Sequence, residues 1–545
     1  MNAASSAKRP LSRNSHTMIR RSLSLNSLVR AALMAVGLAF MITQAARAQT
    51  QSGMSEAEID ALAARALEAF RVPGLSIGIV KDGEIRHLKG YGRRDVNDGA
   101  AVDADTIFKI ASNSKAFTAA ALAMLVDEGK ISWDDRVGEI LPDFRLYDPY
   151  VSREITIRDL LTHRSGLGLG AGDLMLWPEP NKFSRDDIVR NMRYLKPASS
   201  FRSKYAYDNT LYIVAGEVIA KVSGLSYEAF IDQRIMKPLG LDACFAGPIS
   251  RKAMRNVAKP HGIIDDEIAV IERSVINNEP IASTAAGGLR CSARDMLQWV
   301  ETQLNNGLSP DGVRLFSAEQ SREMWKPHTI INVSESERAR DRTNFKAYGL
   351  GWRLADVYGY KQVSHTGTLA GMLSYVTLIP ELDLGVVVLT NGASYDVRES
   401  VMFSLVHSFI DMPQTDWVAH YQSRRQAEEG APVDPGCETS APAGMEGVAG
   451  LYEDPWFGRV EIADKEGALT FRSEKSPRLT GAVSFCRQPS IYAVRWTDRT
   501  LGDGDAYIMV ETDFDGKVTG MRMARIDPEA DFSFDFQDLD FARVD

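Results

Sequence analysis

Four cysteines in 545 residues, Cys244, Cys291, Cys437 and Cys486, are too few for a disulfide-built scaffold, and none lies in a CxxC or Cys/His ligand cluster. The eight histidines are scattered, which argues against a zinc enzyme and leaves no metal or other cofactor implied. Basic residues do not dominate: 63 Lys and Arg stand against 72 Asp and Glu, a net charge of −9, so nucleic acid is a poor partner. Long hydrophobic runs are also missing. The apolar stretch from Ala31 to Ile42 is short for a membrane span. It follows Lys8, Arg9, Arg13, Arg20, Arg21 and Arg30 and precedes Ala46-Arg47-Ala48, the pattern of an export signal cleaved near Ala48; a retained anchor is the alternative. Arg20-Arg21-Ser-Leu hints weakly at a twin-arginine route. Loss of residues 1–48 removes seven basic and no acidic residues, taking the net charge from −9 to −16. An acidic periplasmic or secreted bacterial protein is expected, with no membrane span after processing.

What remains is ordinary globular material, 44% apolar and 25% charged, long enough for two folded units. Leu75–Val80, the turn Lys81-Asp82-Gly83 and Glu84–Tyr91 predict a hairpin. Ser112 to about Glu128 predicts a helix, as do Ile155–Leu167 with a stop at Gly166, Leu211–Ser223, Tyr227–Lys237, Ala293–Asn305 and Val397–Ile410. Tyr375–Ile379 and Gly385–Thr390 read as apolar strands. The result is an α/β unit over 54–420, an antiparallel sheet covered by helices. Residues 421–444, rich in Glu, Pro, Ala and Gly, read as a linker. Over 445–545 come short β-type runs, Arg459–Ile462, Ala468–Arg472, Ser490–Trp496, Ala506–Glu511 and Val518–Ile526, which predict a small β-barrel. The run Asp527 to Asp540, alternating Asp with Phe, reads as an edge strand and solvated tail. Cys437 and Cys486 flank this domain and can pair; four separate thiols are the alternative.

Three patterns carry chemistry. Ser112-Asn-Ser-Lys115 places a hydroxyl and an amine three residues apart on one face of a helix N-terminus, where free N–H groups favour developing negative charge. That suits a serine nucleophile with a lysine base. Alone the spacing means little, for Ser5-Ser-Ala-Lys8 repeats it. Tyr207-Asp-Asn209 adds a phenol able to move protons if a neighbouring ammonium, Lys115, lowers its pKa, and an amide to orient Lys115 and substrate. His365-Thr366-Gly367-Thr368 opens a strand-rich stretch; its glycine permits close approach of backbone, and the N–H groups of Ser112 and Thr368 can form an oxyanion hole. His163 is expected to bond backbone in a turn, and Trp177 and Trp325 to be core or cleft-wall aromatics.

The order Ser-x-x-Lys, Tyr-x-Asn, His-Thr-Gly resembles the serine beta-lactamase and penicillin-binding protein superfamily, in the class C-like branch holding D-aminopeptidases, D-peptidases and esterases. Leu160-Leu-Thr-His-Arg-Ser-Gly-Leu167, Met236-Lys-Pro-Leu-Gly-Leu241, Ala286-Gly-Gly-Leu-Arg-Cys-Ser-Ala-Arg-Asp-Met296, Tyr348-Gly-Leu-Gly-Trp352 and Gly385-Val-Val-Val-Leu-Thr-Asn391 extend the likeness over about residues 55–412. It implies a beta-lactamase-like sheet flanked by helices with an all-helical lobe, followed by a lipocalin-like barrel. It further implies Ser112 as acylated nucleophile, Lys115 and Tyr207 as shared base, Tyr207 as proton donor to the leaving group, and Asn209, His365, Thr366, Gly367 and Thr368 as substrate-orienting residues. His365 stands where beta-lactamases carry a lysine that holds the lactam carboxylate, which turns the expectation toward peptidases. The expected function is a metal-free serine peptidase for short peptides, including D-residue or linearised cyclic peptides of the microcystin type. A carboxylesterase or weak beta-lactamase is the alternative within enzymes, and a non-catalytic penicillin-recognising sensor the alternative outside them. The sequence leaves oligomeric state and the role of the barrel open.

Overall fold

The computed structural model describes residues 53–428, 436–438, 447–486 and 490–545. The expected export signal and most of the expected linker lie outside them. Alternation of Leu75, Ile77 and Ile79 turns one face of strand Gly74–Lys81 toward helices Glu56–Ala69 and Tyr395–His407, where Ile59, Leu62, Val401 and Leu405 close a core. The other face meets helix Ala293–Leu304 at close range: a Cβ on Gly78 would stand 2.8 Å from Leu297 Cγ. Eight antiparallel strands form the sheet, in the order Glu84–Gly92, Gly74–Lys81, Leu384–Thr390, Met372–Ile379, Tyr360–Leu369, Arg353–Val357, Lys346–Tyr348 and Thr329–Ile330. Helices cover both faces, so Met372–Ile379 and Leu384–Thr390 are buried along their whole length, which explains their unbroken apolar runs.

The helical lobe is built around Ser114–Asp127, buried at every position from Ser114 to Leu125. Alanine on several faces lets Thr210–Ser223 and the short helix Thr284–Gly287 pack close, and Phe117 stacks on Trp299 with ring centroids 3.9 Å apart. The helix expected over Ile155–Leu167 is shorter. It runs Ile157–Leu161 behind a Thr156–Asp159 capping box and stops before His163, whose φ of 54° is left-handed. Trp417–Glu428 is helical, so the segment expected as linker from 421 begins inside a helix, with Tyr421 buried. No helix among the described residues is long and apolar enough to cross a membrane.

Residues 450–543 form a closed eight-stranded barrel in simple meander order, from Gly450–Asp454 to Asp540–Arg543, which pair to complete it. Tyr452, Phe471, Tyr492, Val494, Trp496 and Met521 are buried and fill it. Sequence patterning missed Gly450–Asp454, Thr480–Cys486 and Asp540–Arg543. Two disulfides form, Cys437–Cys486 and Cys244–Cys291, so none of the four cysteines is free.

Candidate active site

Ser112 lies in a 3₁₀ turn, Ala111–Asn113, that leads into helix Ser114–Asp127. Ala111 takes a left-handed φ of 48°, a strained choice for a residue with a Cβ. Neighbouring elements hold it there. Ile110 N–H donates to Leu289 O at 3.0 Å, Ser374 Oγ donates to Ile110 O at 2.6 Å, and Asn113 Nδ2 donates to Ser374 Oγ at 2.8 Å. Gly367 lies against this turn; a Cβ there would overlap Ser374 Oγ and Ile110 O, so the strand needs glycine for its close approach.

One helical turn on, Lys115 is wholly buried. Its Nζ lies 3.2 Å from Ser112 Oγ, 2.7 Å from Asn209 Oδ1 and 2.7 Å from Ala286 O. It also sits 4.8 Å from the Tyr207 ring centroid and 5.1 Å from that of Tyr212. Burial pushes its pKa down to about 7; the carboxylates of Asp173 and Asp208 resist the shift and Arg353 reinforces it. A free amine is thus available near neutral pH, within reach of a hydroxyl.

Tyr207 and Asn209 come from one loop, rooted by the residue between them. Asp208 Oδ1 accepts from Thr210 Oγ1 at 2.6 Å and Leu211 N–H at 3.3 Å, tying the loop to the start of helix Thr210–Ser223. Behind it, His163 Nδ1 accepts from Asp208 N–H at 3.0 Å and its ring packs 4.2 Å from that of Tyr207. His163 therefore holds backbone in a turn, as its sequence context suggests. The Tyr207 hydroxyl is buried and its pKa is raised, by burial first, with the Ser112 hydroxyl and then the charge of Arg353 acting the other way. The cation expected to ease its ionisation was Lys115; in the structure Arg353 acts in that sense, 5.7 Å from the Tyr207 ring centroid.

The strand Tyr360–Leu369 sorts its residues by parity. Thr366 and Thr368 line the cleft beside Ser112. His365 does not. Its Nε2 is 2.8 Å from Tyr348 Oη and its Nδ1 is 2.7 Å from Thr366 O. A carbonyl only accepts, so Nδ1 carries the proton and Nε2 accepts from the tyrosine. Burial, then the charges of Arg353 and Lys115, holds the ring's pKa well below the usual histidine value, and it is neutral at pH 7. Two cations line the cleft, Arg273 and Arg353; Arg353 is paired with Ser364 across the sheet, and neither lies in a motif. A third residue outside the motifs, buried Arg398, donates to Gly367 O at 3.0 Å and Thr368 Oγ1 at 3.2 Å and pins the strand end.

Ser112, Tyr207, Asn209, Arg353, Thr366 and Thr368 face a cavity of about 310 Å³. Its apolar walls are Trp177, Leu369, Leu373 and Tyr395 from the first domain, and Leu501, Phe532 and Phe534 from the barrel. Trp325 instead belongs to the buried core. The Asp/Phe run, expected to be an edge strand and solvated tail, instead contributes residues 531–534 to the wall of the cavity. Phe532 stands edge-on to Tyr207 with centroids 5.8 Å apart, and Asp535 is fully buried.

A helix-flanked antiparallel sheet with serine, lysine and tyrosine gathered at the foot of a buried helix defines a beta-lactamase-fold serine hydrolase. Residues 59–408 match the Beta-lactamase family, and the chain belongs to it. Residues 435–543 match a Domain of unknown function, DUF3471. Among relatives, the Unguisins hydrolase ungD' of Aspergillus campestris is 28% identical over 381 residues, 67% of this chain and 68% of that protein. Penicillin-binding protein 4 of Amycolatopsis lactamdurans is 29% identical over 59% of this chain and 81% of its own. In fold, the chain resembles the octameric penicillin-binding protein homologue from Pyrococcus abyssi, with a TM-score of 0.55, 22% identity, and coverage of 87% of this chain and 98% of that one. It also resembles a class C beta lactamase from Rhodobacter sphaeroides, with a TM-score of 0.51, 22% identity, and coverage of 65% and 98%.

Proposed function

We propose that the chain is a serine peptidase that cleaves short peptides through an acyl-enzyme on Ser112. One observation carries the reading: a buried lysine amine with a pKa of about 7 lies 3.2 Å from the serine hydroxyl. As Oγ attacks the substrate carbonyl, Lys115 accepts its proton. The N–H groups of Ser112 and Thr368 receive the oxyanion, with the 3₁₀ turn fixed in advance by its bonds to Leu289 and Ser374. Tyr207, protonated in the resting site, gives its proton to the departing amine and is replenished from the Lys115 ammonium. Water then releases the acyl group by the reverse relay. Aromatic walls suit apolar side chains, and Arg353 suits a substrate carboxylate. The relative named as an unguisins hydrolase supports hydrolysis of this general kind. Two disulfides support an oxidising compartment, hence export.

The test is turnover of short L- and D-peptides, p-nitrophenyl esters and a chromogenic cephalosporin by the purified protein, each beside Ser112→Ala. Peptide cleavage that disappears in Ser112→Ala is expected. Turnover of esters alone would make the protein a carboxylesterase, and turnover that survives the substitution would remove Ser112 from the mechanism.

A further inference from the structure

Asp173 is fully buried beside the site and has no part in the steps above. Its Oδ2 accepts from Asn209 Nδ2 at 2.8 Å and from Ser533 Oγ at 2.9 Å, while its Oδ1 has no hydrogen-bond partner. A carboxylate buried with one oxygen unpaired is costly unless a positive charge compensates it. Lys115 is that charge, one amide away: Asn209 accepts from Lys115 Nζ through Oδ1 and donates to Asp173 through Nδ2. The three acceptors around Nζ match the three N–H bonds of an ammonium. Ser112, Lys115, Asn209 and Asp173 thus form one unbroken chain of contacts.

The far end of this chain is closed by the barrel. Ser533 holds the Asp173 carboxylate directly. Two residues on, Asp535 accepts Gly172 N–H at 2.6 Å and Leu174 N–H at 3.0 Å, fixing the turn on which Asp173 rides. That turn is also tied to the tyrosine loop, since Gly170 N–H donates to Tyr207 O at 2.8 Å. Hydrogen bonds that fix a residue's partner help to fix the residue as well.

We propose that Asp173 is a positioning residue for acyl transfer, acting on Lys115 through Asn209, and that Ser533 of the C-terminal barrel holds it in place. The proposal rests on the Ser112–Lys115 reading above. Lys115 is faced by Asp173, Asp208, Arg353, His163, His365 and the rings of Tyr207 and Tyr212. Asp173 is faced by Asp208, Asp535, Lys115 and Tyr207; burial, then the neighbouring Asp208 carboxylate, pushes its pKa well above the usual carboxylate value, and the bonds from Asn209 and Ser533 and the charge of Lys115 oppose that rise. When ionised, both acids favour the Lys115 ammonium, and Asp173 is the one linked to it by a hydrogen-bond path through Asn209, whose bond, with that of Ser533, favours the ionised form of Asp173.

The test is the rate of covalent labelling of Ser112 by a fluorophosphonate across pH. In the wild type the rate rises with pH as Lys115 loses its proton. Asp173→Asn keeps the shape and removes the charge, and is expected to move the midpoint down by about one pH unit and to slow labelling above it about tenfold. Ser533→Ala should move the midpoint in the same direction by less, and add nothing in the Asp173→Asn background. Because Ser533→Ala disturbs only one hydroxyl, it decides the matter should Asp173→Asn fail to fold. Slower labelling with an unmoved midpoint in the folded variants would reduce Asp173 to structural support and overturn the proposal. A wild type that takes no label would overturn the Ser112 reading itself and the proposal with it.

Discussion

At the scale of single residues, the proposed mechanism depends on moving one lysine's pKa into the working range. Only unprotonated Lys115 can accept the Ser112 proton, and its pKa lies at about 7. Peptide kcat/KM should therefore fall as pH drops through about 7 and level off above it, read from a pH–rate profile of the free enzyme. Tyr207→Phe removes a proton carrier and leaves the ring against Lys115 and His163. A loss in kcat of about 10²- to 10⁴-fold with an unchanged melting temperature is expected. The gathering of Ser112, Lys115, Tyr207 and Asn209 at one candidate site was legible in sequence because each sits in a short motif. Arg353 and Asp173 were not, because they arrive through sheet pairing and a loop contact. His365 was legible as part of the site yet misassigned to the cleft. Side chains alternate along a strand, and the parity that gives Thr366 and Thr368 to the cavity gives His365 to Tyr348.

At the scale of elements, the nucleophile turn is held by pieces far apart in sequence. Strand Phe108–Lys109 pairs with Arg290–Cys291, and Cys291 is bonded to Cys244, 47 residues earlier. Cys244→Ser should lower stability by about 2–4 kcal/mol, measured by chemical denaturation, with a matching fall in melting temperature. Spacing alone gave no reason to join Cys244 to Cys291, since a strand of two residues leaves no alternation to read. The hairpin Gly74–Lys81 and Glu84–Gly92 was legible for the opposite reason: long alternation around Asp82-Gly83. The helix expected across Ile155–Leu167 failed where local turn chemistry at His163 overrode an otherwise helical composition.

At the scale of the molecule, the two domains share a site. Beyond Ser533 and Asp535, Arg273 donates to Thr500 Oγ1 at 2.7 Å and to Thr500 O at 3.0 Å, and Asn191 donates to Trp456 O at 2.8 Å. Asp535→Ala would leave two backbone N–H groups without their acceptor and cost about 1–3 kcal/mol. Faster proteolysis of the barrel relative to wild type should reveal it. The barrel's existence was legible from repeated short β-type runs; its engagement with the active site was not. An Asp-rich, Phe-rich stretch has the composition of an exposed tail, and only the closing strand Asp540–Arg543 shows that the preceding residues are held at both ends.

The stretch from Phe532 to Asp535 also separates two kinds of evolutionary freedom. Ser533 and Asp535 bond Asp173 and the turn that carries it, so on the proposed mechanism variation there disturbs machinery common to every substrate. Phe532 and Phe534 present only hydrocarbon to the cavity, so exchange of these rings alters which side chains fit and leaves the shared chemistry in place. Selectivity can then drift at alternate positions of a single loop, supplied by a domain that carries neither the proposed nucleophile nor the proposed base.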